Sequence, residues 1–466
     1  MPGIPVFGLG VQSRSRAVTA AKLTNLYVEQ RPEGEVNRVV AYGTPGLDLF
    51  ANLGDTPIRG MLAVEPIDLF YPVHRGTFYE VNNAAIITSR GSLNSEMGRV
   101  DQTHNGTVVL TVDGTDGYTY NTSSLAFTEI TDNDFIADAK TCTWLDQYFI
   151  VENGSVFQIS TNGTDWDSTD IGVPESNPDG IVKVIANHGE LTIFNALTTE
   201  FWVNTGATDF PFAPLKSSTA QYGCAAPWSV CYYNDTVAFL AKNQMGQASV
   251  MMLQGYIPRP ISTPDIDEII NSYADVGDAS AFSFMLGGHP MYQINFPAAG
   301  YSWMYDGLSQ RWYSRKSYGL NRQRCEIGIQ YVNKTLLSDY ANGKLYRLNA
   351  STYTENGDPI ESIMISENVA HPDGIRFSVD RFRLEMQTGE ALSSGQGSNP
   401  QAMMQVSRDN GYQFGAEQWR SFGKLGNYAR RVQWDKQGSG QVFNFKVSIS
   451  DPVKRVITNA IINPPD

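Results

Sequence analysis

A strand–turn–strand unit recurs seven times in the middle of the chain, and this repeat restricts the fold more than any other feature. The first strand of each unit contains, in chain order, Leu69, Val108, Tyr148, Leu191, Val237, Met291 and Thr335, so successive units lie 39 to 54 residues apart. Asn-Gly pairs, which tolerate the positive φ of hairpin turns, begin at residues 105, 153, 162, 342, 356 and 410. Long helical patterns are scarce, so the chain is predicted to be all-β.

Blades of a β-propeller run about 40 to 50 residues, which matches this spacing. Each blade is a four-stranded sheet that cannot bury both faces alone, so radial packing around an axis supplies its neighbours. We therefore predict a β-propeller of six or seven blades over residues 57–355. Hairpins in stacked sandwiches are the alternative, although that arrangement would not keep the spacing so even.

One helical segment interrupts the repeat. Thr263 offers an N-cap hydroxyl, Pro264 suits the first helical position, and Asp265 and Asp267 complement the amide dipoles of the first turn. Isoleucines at positions 266, 269 and 270 fall on one face. The pattern predicts a short helix that packs between two blades.

Longer alternating strands replace the repeat near the end of the chain, for example over residues 376–386 and 443–449. Half-buried strands of a sandwich have this pattern. Residues 356–466 are therefore predicted to form a β-sandwich domain. Residues 1–56 have apolar positions too sparse for a core of their own and are predicted to join the sandwich or a neighbouring subunit.

The charge is distributed unevenly along the chain. The 466 residues carry a formal net charge of −14. Residues 61–371 hold 16 Lys and Arg against 34 Asp and Glu, whereas residues 372–466 hold 12 against 9. A protein that grips nucleic acid through a basic face needs the opposite balance. The asymmetry suggests that the two segments have different neighbours, with solubility alone as the plainer explanation.

Motifs for cofactors, metals and catalysis are missing. The sequence contains no HExxH, no GxxxxGK[ST] and no GxSxG, and its four cysteines, expected to be buried free thiols, lack zinc spacing. We therefore predict no catalytic residue, no cofactor-binding residue and no metal site. Pairs such as Asp165 with Asp167 or Asp265 with Asp267 could reach glycosidase separation by chance, but solvated loop acids explain them better.

Targeting signals are likewise not expected. Residues 1–7 lack a basic start followed by an apolar stretch, and no run of about 18 apolar residues occurs, so neither a standard secretion signal nor a membrane span is predicted.

A series of short motifs, in a fixed order, resembles one known family. Near the start stand Asn25-Leu26-Tyr27 and Thr44-Pro45-Gly46-Leu47, followed by Pro178-Asp179-Gly180-Ile181 and Thr199-Glu200-Phe201, then the isoleucine-rich helix, Asp409-Asn410-Gly411-Tyr412 and Arg430-Arg431-Val432-Gln433-Trp434. Their order resembles the packaged-DNA stabilisation protein, also called the tail hub or tail nozzle, of short-tailed bacteriophages. The resemblance is weakest over residues 60–140.

The resemblance implies a structural role in the virion tail, after synthesis in the host cytoplasm. Members of that family form a ring of six below the portal and its adaptor, close the capsid after packaging, and carry the distal needle, fibres or tailspikes. DNA would pass through the lumen without sequence-specific binding. A propeller-type glycosidase or a carbohydrate-binding tail component is the alternative function.

Two further expectations join the charge pattern to this role. The lumen is expected to be lined chiefly by residues of 61–371, whose acids would repel phosphate. The candidate interface consists of five basic residues of the sandwich, predicted to face the adaptor or the distal tail: Arg420, Lys424, Arg430, Arg431 and Lys436.

Overall fold

The computed structural model describes residues 10–32, 39–174, 177 and 179–464. Residues 1–7 and Pro178, which entered the sequence analysis, lie outside these ranges. No helix in the described part of the chain has the length and apolar character needed to cross a membrane. Before the propeller the chain forms four strands, β1 (Lys22–Thr24), β2 (Leu26–Gln30), β3 (Val39–Gly43) and β4 (Gly46–Asn52).

Seven sheets follow in chain order, and each is one blade of the propeller. Blade 1 contains β5 (Ile58–Val64), β6 (Leu69–His74), β7 (Thr77–Asn82) and β8 (Ile87–Ser92), with a 3-10 turn at Glu65–Ile67. Blade 2 contains β9 (Asp101–His104), β10 (Val108–Val112), β11 (Gly117–Asn121) and β12 (Ala126–Glu129). Blade 3 contains β13 (Thr141–Leu145), β14 (Tyr148–Glu152), β15 (Phe157–Ser160) and β16 (Ile171–Gly172).

The remaining blades continue the pattern. Blade 4 contains β17 (Ile181–Asn187), β18 (Glu190–Asn195), β19 (Thr199–Asn204) and β20 (Phe212–Pro214). Blade 5 contains β21 (Gly223–Cys224), a 3-10 helix at Pro227–Ser229, β22 (Cys231–Tyr233), β23 (Thr236–Lys242), β24 (Ala248–Gln254) and β25 (Ile257–Pro260). After helix α1 (Pro264–Asn271), blade 6 contains β26 (Ser280–Leu286), β27 (His289–Phe296), β28 (Tyr301–Asp306) and β29 (Arg311–Arg315), and blade 7 contains β30 (Cys325–Tyr331), β31 (Lys334–Asp339) and β32 (Lys344–Asn349).

The predicted propeller is confirmed, and the number of blades is seven. The two segments recognised in each sequence repeat are the second and third strands of each blade, which are the most deeply buried. The innermost strands lie side by side around the axis, and β30 packs against β5 to close the ring. Helix α1 begins after the predicted N-cap, with Thr263 Oγ1 accepting from the Ile266 amide and with Ile266 and Ile270 buried.

Blade 7 obtains its fourth strand from the other end of the sequence. Strand β4 pairs antiparallel with β32, placing Leu47 opposite Leu348. Gly46, at the start of β4, lies against the backbone that leaves blade 7, and a Cβ there would come within 2.3 Å of the Thr354 carbonyl oxygen. The ring is thus closed by a strand nearly 300 positions away in sequence, and the Pro-Gly-Leu motif supplies the close approach.

The sandwich is built from both ends of the chain. Its C-terminal strands are β33 (Thr354–Glu355), β34 (Asp358–Pro359), β35 (Ser362–Ile365), β36 (Val369–Ala370), β37 (Phe377–Met386), β38 (Gln401–Ser407), β39 (Gln418–Ser421), β40 (Val432–Gly440), β41 (Val442–Ile449) and β42 (Val456–Ile462), with β33 and β34 attached to the edge of blade 7. One sheet of the sandwich has the order β2-β3-β42-β37-β40. Phe382 stacks on Phe445 between the sheets, with ring centroids 4.3 Å apart, and Trp434 is fully buried beside them.

The second sheet of the sandwich continues the sheet of blade 6. Its order is β26-β27-β28-β29-β1-β35-β41-β38-β39, so β1 joins the outermost strand of blade 6 to the sandwich. Because strands of the propeller and of the sandwich pair within one sheet, strand pairing does not show where one domain ends and the next begins. The domain boundaries at residues 56 and 355 stay a prediction.

A buried ionic cluster lies where the propeller meets the sandwich. Glu355 and Arg455 are each 1% exposed. Arg324 forms ion pairs with one acid of β33 and one acid of β34. Its Nε lies 3.5 Å from Glu355 Oε2, and its Nη2 lies 2.6 Å from Asp358 Oδ2. Burial lowers the pKa of Arg455 to about 10. Buried charges require such partners, so this junction favours one relative placement of its elements.

Replacement of Gly46 by Ala should destabilise the protein by about 1–3 kcal/mol, because the new methyl group would overlap backbone atoms that have no room to move. Urea unfolding monitored by tryptophan fluorescence measures the effect. Gly415→Ala is the matched control, since its Cβ would lie 3.5 Å from the nearest atom, the Val406 carbonyl oxygen. Equal midpoints for Gly46→Ala and the wild-type chain would show that closure by β4 does not limit stability.

Candidate functional site: the axial channel and two charged edges

The innermost strands of the seven blades surround an axial channel. The channel has a volume of about 510 Å³, and its wall includes Met61, Gln102, Thr143, Tyr232 and Ser283. These side chains come from different blades, so only the closed ring creates the space.

The wall of the channel also contains a tryptophan that two cations approach. Trp228 stands on the 3-10 helix before β22, and the guanidinium carbon of Arg99 and Nζ of Lys183 each lie 4.9 Å from its ring centroid. Lys183 also forms an ion pair of 2.6 Å with Asp101 Oδ2. Cations held over an indole face in this way are attracted by the ring quadrupole. The cluster therefore holds the Trp228 ring in place in the channel wall.

The dimensions exclude the axial channel as a path for duplex DNA. The cavity between the innermost strands holds about 510 Å³, far less than one turn of B-DNA occupies, since a turn is roughly 34 Å long and its major groove alone is about 12 Å wide and 8.5 Å deep. The propeller axis of this chain therefore has no room for duplex DNA.

Glu152, behind the channel wall, has a perturbed pKa. Its side chain is fully buried, and its carboxylate accepts hydrogen bonds from Thr141 Oγ1 at 2.8 Å and from the Gly154 amide at 2.7 Å. Burial raises the pKa of Glu152 to about 7, against the opposing effects of these hydrogen bonds and of Lys183 and Lys140.

The five predicted interface residues lie along the rim where β39 and β40 meet, and all are exposed. Arg420 Nε donates to the Gln433 carbonyl, and Arg430 Nε donates to the Ser421 carbonyl. Arg431 and Lys436 line one shallow groove. Among the described residues, none of the five forms an ion pair with a carboxylate. Their role at an interface stays a prediction.

Apolar side chains accompany these cations. Trp419, Leu425 and Tyr428 are 54%, 60% and 71% exposed. We call these three residues, together with the five cations, the basic edge. The basic edge could have been predicted from the sequence, because the apolar residues alternate with the basic ones over residues 419–431.

A second charged edge lies on blade 3. The loop that enters the blade and the loop before β16 bring together five aspartates: Asp132, Asp134, Asp165, Asp167 and Asp170. Ile171 and Val173, on and beside β16, are 38% and 50% exposed. We call these seven residues the acidic edge. Sequence reasoning missed it because the contact between the loops, such as the Trp166 amide donating to Asp132 Oδ2 at 2.9 Å, joins residues 34 positions apart.

The acids considered for glycosidase chemistry are engaged with other side chains. Asp165 accepts from Asn162, and Asp167 accepts from Thr169, within one loop. Asp265 accepts from Ser13 and forms an ion pair with Arg14, whereas Asp267 accepts from Ser262. Neither pair lines the axial channel. Within the described ranges, no group of His, Cys, Asp and Glu side chains is arranged to hold a metal ion, and all four cysteines are free.

Comparison with known proteins matches both parts of this architecture. The sequence model described as the β-propeller of bacteriophage P22 Gp10 matches residues 4–353, and the model described as the β-sandwich of the same protein matches residues 362–463. This is the class of two-part β proteins found in bacteriophage tails. The chain belongs to the Gp10 tail hub family.

Individual relatives are more distant. The tail hub protein gp10 of Salmonella phage P22 is 30% identical over 102 residues, a match that spans 21% of this chain and 22% of that protein. Among solved structures, the extracellular domain of a putative hybrid two component system from B. thetaiotaomicron is 9% identical with a TM-score of 0.45, covering 83% of this chain and 47% of that one. A chain of the mitotic checkpoint complex is 10% identical with a TM-score of 0.41, covering 69% and 96%.

The pKa of Glu152 predicts a pH dependence of stability. Because the pKa of Glu152 is higher in the folded than in the unfolded chain, the folded state binds more protons between about pH 4.5 and 7. The free energy of unfolding should therefore fall by up to about 3 kcal/mol as pH rises through this window. Glu152→Gln imitates the protonated acid and should flatten that slope in urea titrations at pH 5, 6, 7 and 8. The control variant Glu129→Gln, at an exposed position, should keep the wild-type slope. If the slope of Glu152→Gln equals the wild-type slope, the raised pKa of Glu152 is contradicted.

Proposed function

We propose that the protein is the hub of a short bacteriophage tail, assembled as a ring of six below the portal and adaptor. The ring closes the capsid after packaging, retains the DNA and forms part of the conduit for ejection. The observation that carries this proposal is the match of both the propeller and the sandwich to one tail hub family.

The charge distribution supports a conduit between subunits. The axial channel is too small for duplex DNA, and residues 61–371 carry an excess of 18 acidic residues. In a ring, copies of this segment would present a negative wall to the duplex. Repulsion of phosphate by such a wall disfavours counterion-releasing contacts and lets DNA slide.

The alternative of a glycosidase or carbohydrate-binding component gains no support from the geometry. Asp165 and Asp167 accept hydrogen bonds within a loop, Asp267 accepts from Ser262, and Asp265 is ion-paired with Arg14. We therefore propose the tail hub function and not the carbohydrate-directed one.

Phage particles assembled without this chain should package DNA and then lose it. Quantitative PCR of nuclease-protected genomes, taken at intervals after packaging, measures the loss, and expression of the chain in trans should restore retention. Electron microscopy of the chain mixed with portal and adaptor should show the added ring. Particles that keep their DNA without the chain, or purified tails that do not contain it, would overturn the proposed function.

A further inference from the structure

The basic edge lies at the far end of a sheet that starts at the propeller axis. Strand β26 lines the channel, and eight more strands lead outward from it to β39. Since neighbouring strands lie about 4.8 Å apart, β39 stands roughly 40 Å from the channel wall along the sheet. The basic edge is therefore one extremity of the molecule.

The acidic edge lies on the opposite side of the axis. The sandwich is attached to blades 6 and 7, through β1 and through β4 with β33. In a closed ring of seven blades, blade 3 is diametrically opposite the boundary between blades 6 and 7. Its outermost strand, β16, carries the acidic edge away from the sandwich.

The two edges are complementary in charge. The aspartates of the acidic edge crowd one another, and burial, followed by the Asp167 carboxylate, raises the pKa of Asp170. In the part of the chain that the structure describes, none of these aspartates is paired with a lysine or an arginine. The cations of the basic edge are equally without carboxylate partners, so each edge lacks what the other provides.

The two edges also match in their apolar character. Trp419 and Tyr428 are of the residue types that dominate interface energetics, and Leu425 adds apolar area. Ile171 and Val173 offer an apolar surface on and beside the two-residue edge strand β16. Contact between such surfaces would remove both from water. Self-association of either edge with itself would instead bring like charges together.

We propose that the basic edge of one copy docks on the acidic edge of the next, so that the protein assembles head to tail. Two different patches at opposite extremities make a heterologous contact, which closes into a ring when the rotation per subunit permits. The proposal rests on the ring assembly of the proposed function and assigns its contact surfaces. The five cations thus contact a second copy of the chain, and not the adaptor or the distal tail as the sequence analysis predicted.

Charge reversal on each edge, alone and combined, tests this contact. Arg430→Glu with Arg431→Glu, and separately Asp134→Lys with Asp165→Lys, should each weaken assembly at least about 100-fold, because like charges at an interface cost several kcal/mol. The two sets mixed as separate chains should assemble into rings in which they alternate, because every contact then joins edges of opposite charge, and one chain carrying all four substitutions should also assemble again. Mass photometry, with and without portal and adaptor, reports the assembled fraction.

Matched controls separate this contact from general changes in charge. Lys216→Glu with Lys242→Glu, and Glu96→Lys with Asp209→Lys, reverse exposed charges outside both edges and should leave assembly unchanged. Equal melting temperatures of all variants exclude misfolding. A bismaleimide reagent should also cross-link Leu425→Cys of one copy to Val173→Cys of the next.

Three results would overturn the head-to-tail contact. They are assembly that survives either single reversal, failure of the fourfold variant to recover, and retained rings that have lost only adaptor binding. The last result would assign the basic edge to the adaptor. If instead the proposed function were wrong, the chain would still assemble with this charge dependence but would be absent from purified virions.

Discussion

The structure depends on closure of the blade ring. Each blade buries its faces only against its neighbours, so an open set of seven sheets would leave two apolar faces in water. Two contacts prevent this: β30 packs against β5 at the axis, and β4 completes blade 7 through its ladder with β32. The axial channel, the cation cluster around Trp228 and the opposite placement of the two charged edges all follow from that closure.

Strand β4 also explains how the sandwich is held in place. The chain leaves β3 in the sandwich, enters blade 7 as β4 and begins blade 1 immediately afterwards, while β1 extends blade 6. The N-terminal segment is therefore shared between the two parts, and the buried cluster around Glu355 and Arg324 lies beside it. The N-terminal segment thus connects the propeller and the sandwich at several places, through strand pairing in both parts.

Much of this fold could be predicted from local chemistry. The middle strands of each blade, such as those containing Leu191 and Val237, are buried on both faces and so read as short apolar runs between turns. Inner strands border the channel and outer strands face solvent, so residues such as Gln102 and Ile171 give mixed patterns that are hard to recognise. The helix was predictable because Thr263 and Pro264 act within one turn. Of the candidate sites, the basic edge was visible as a run of cations, whereas the acidic edge was not.

The sequence by itself determined the repeat, the all-β class, the sandwich at the end of the chain and the family resemblance, because spacing, turns and alternation are encoded within a few residues. Only the tertiary structure decided the seventh blade's closing strand, the sheet shared with the sandwich, the channel that excludes DNA and the two opposed edges. These features join residues tens to hundreds of positions apart, and their energies come from burial and charge proximity that exist only after the ring has closed.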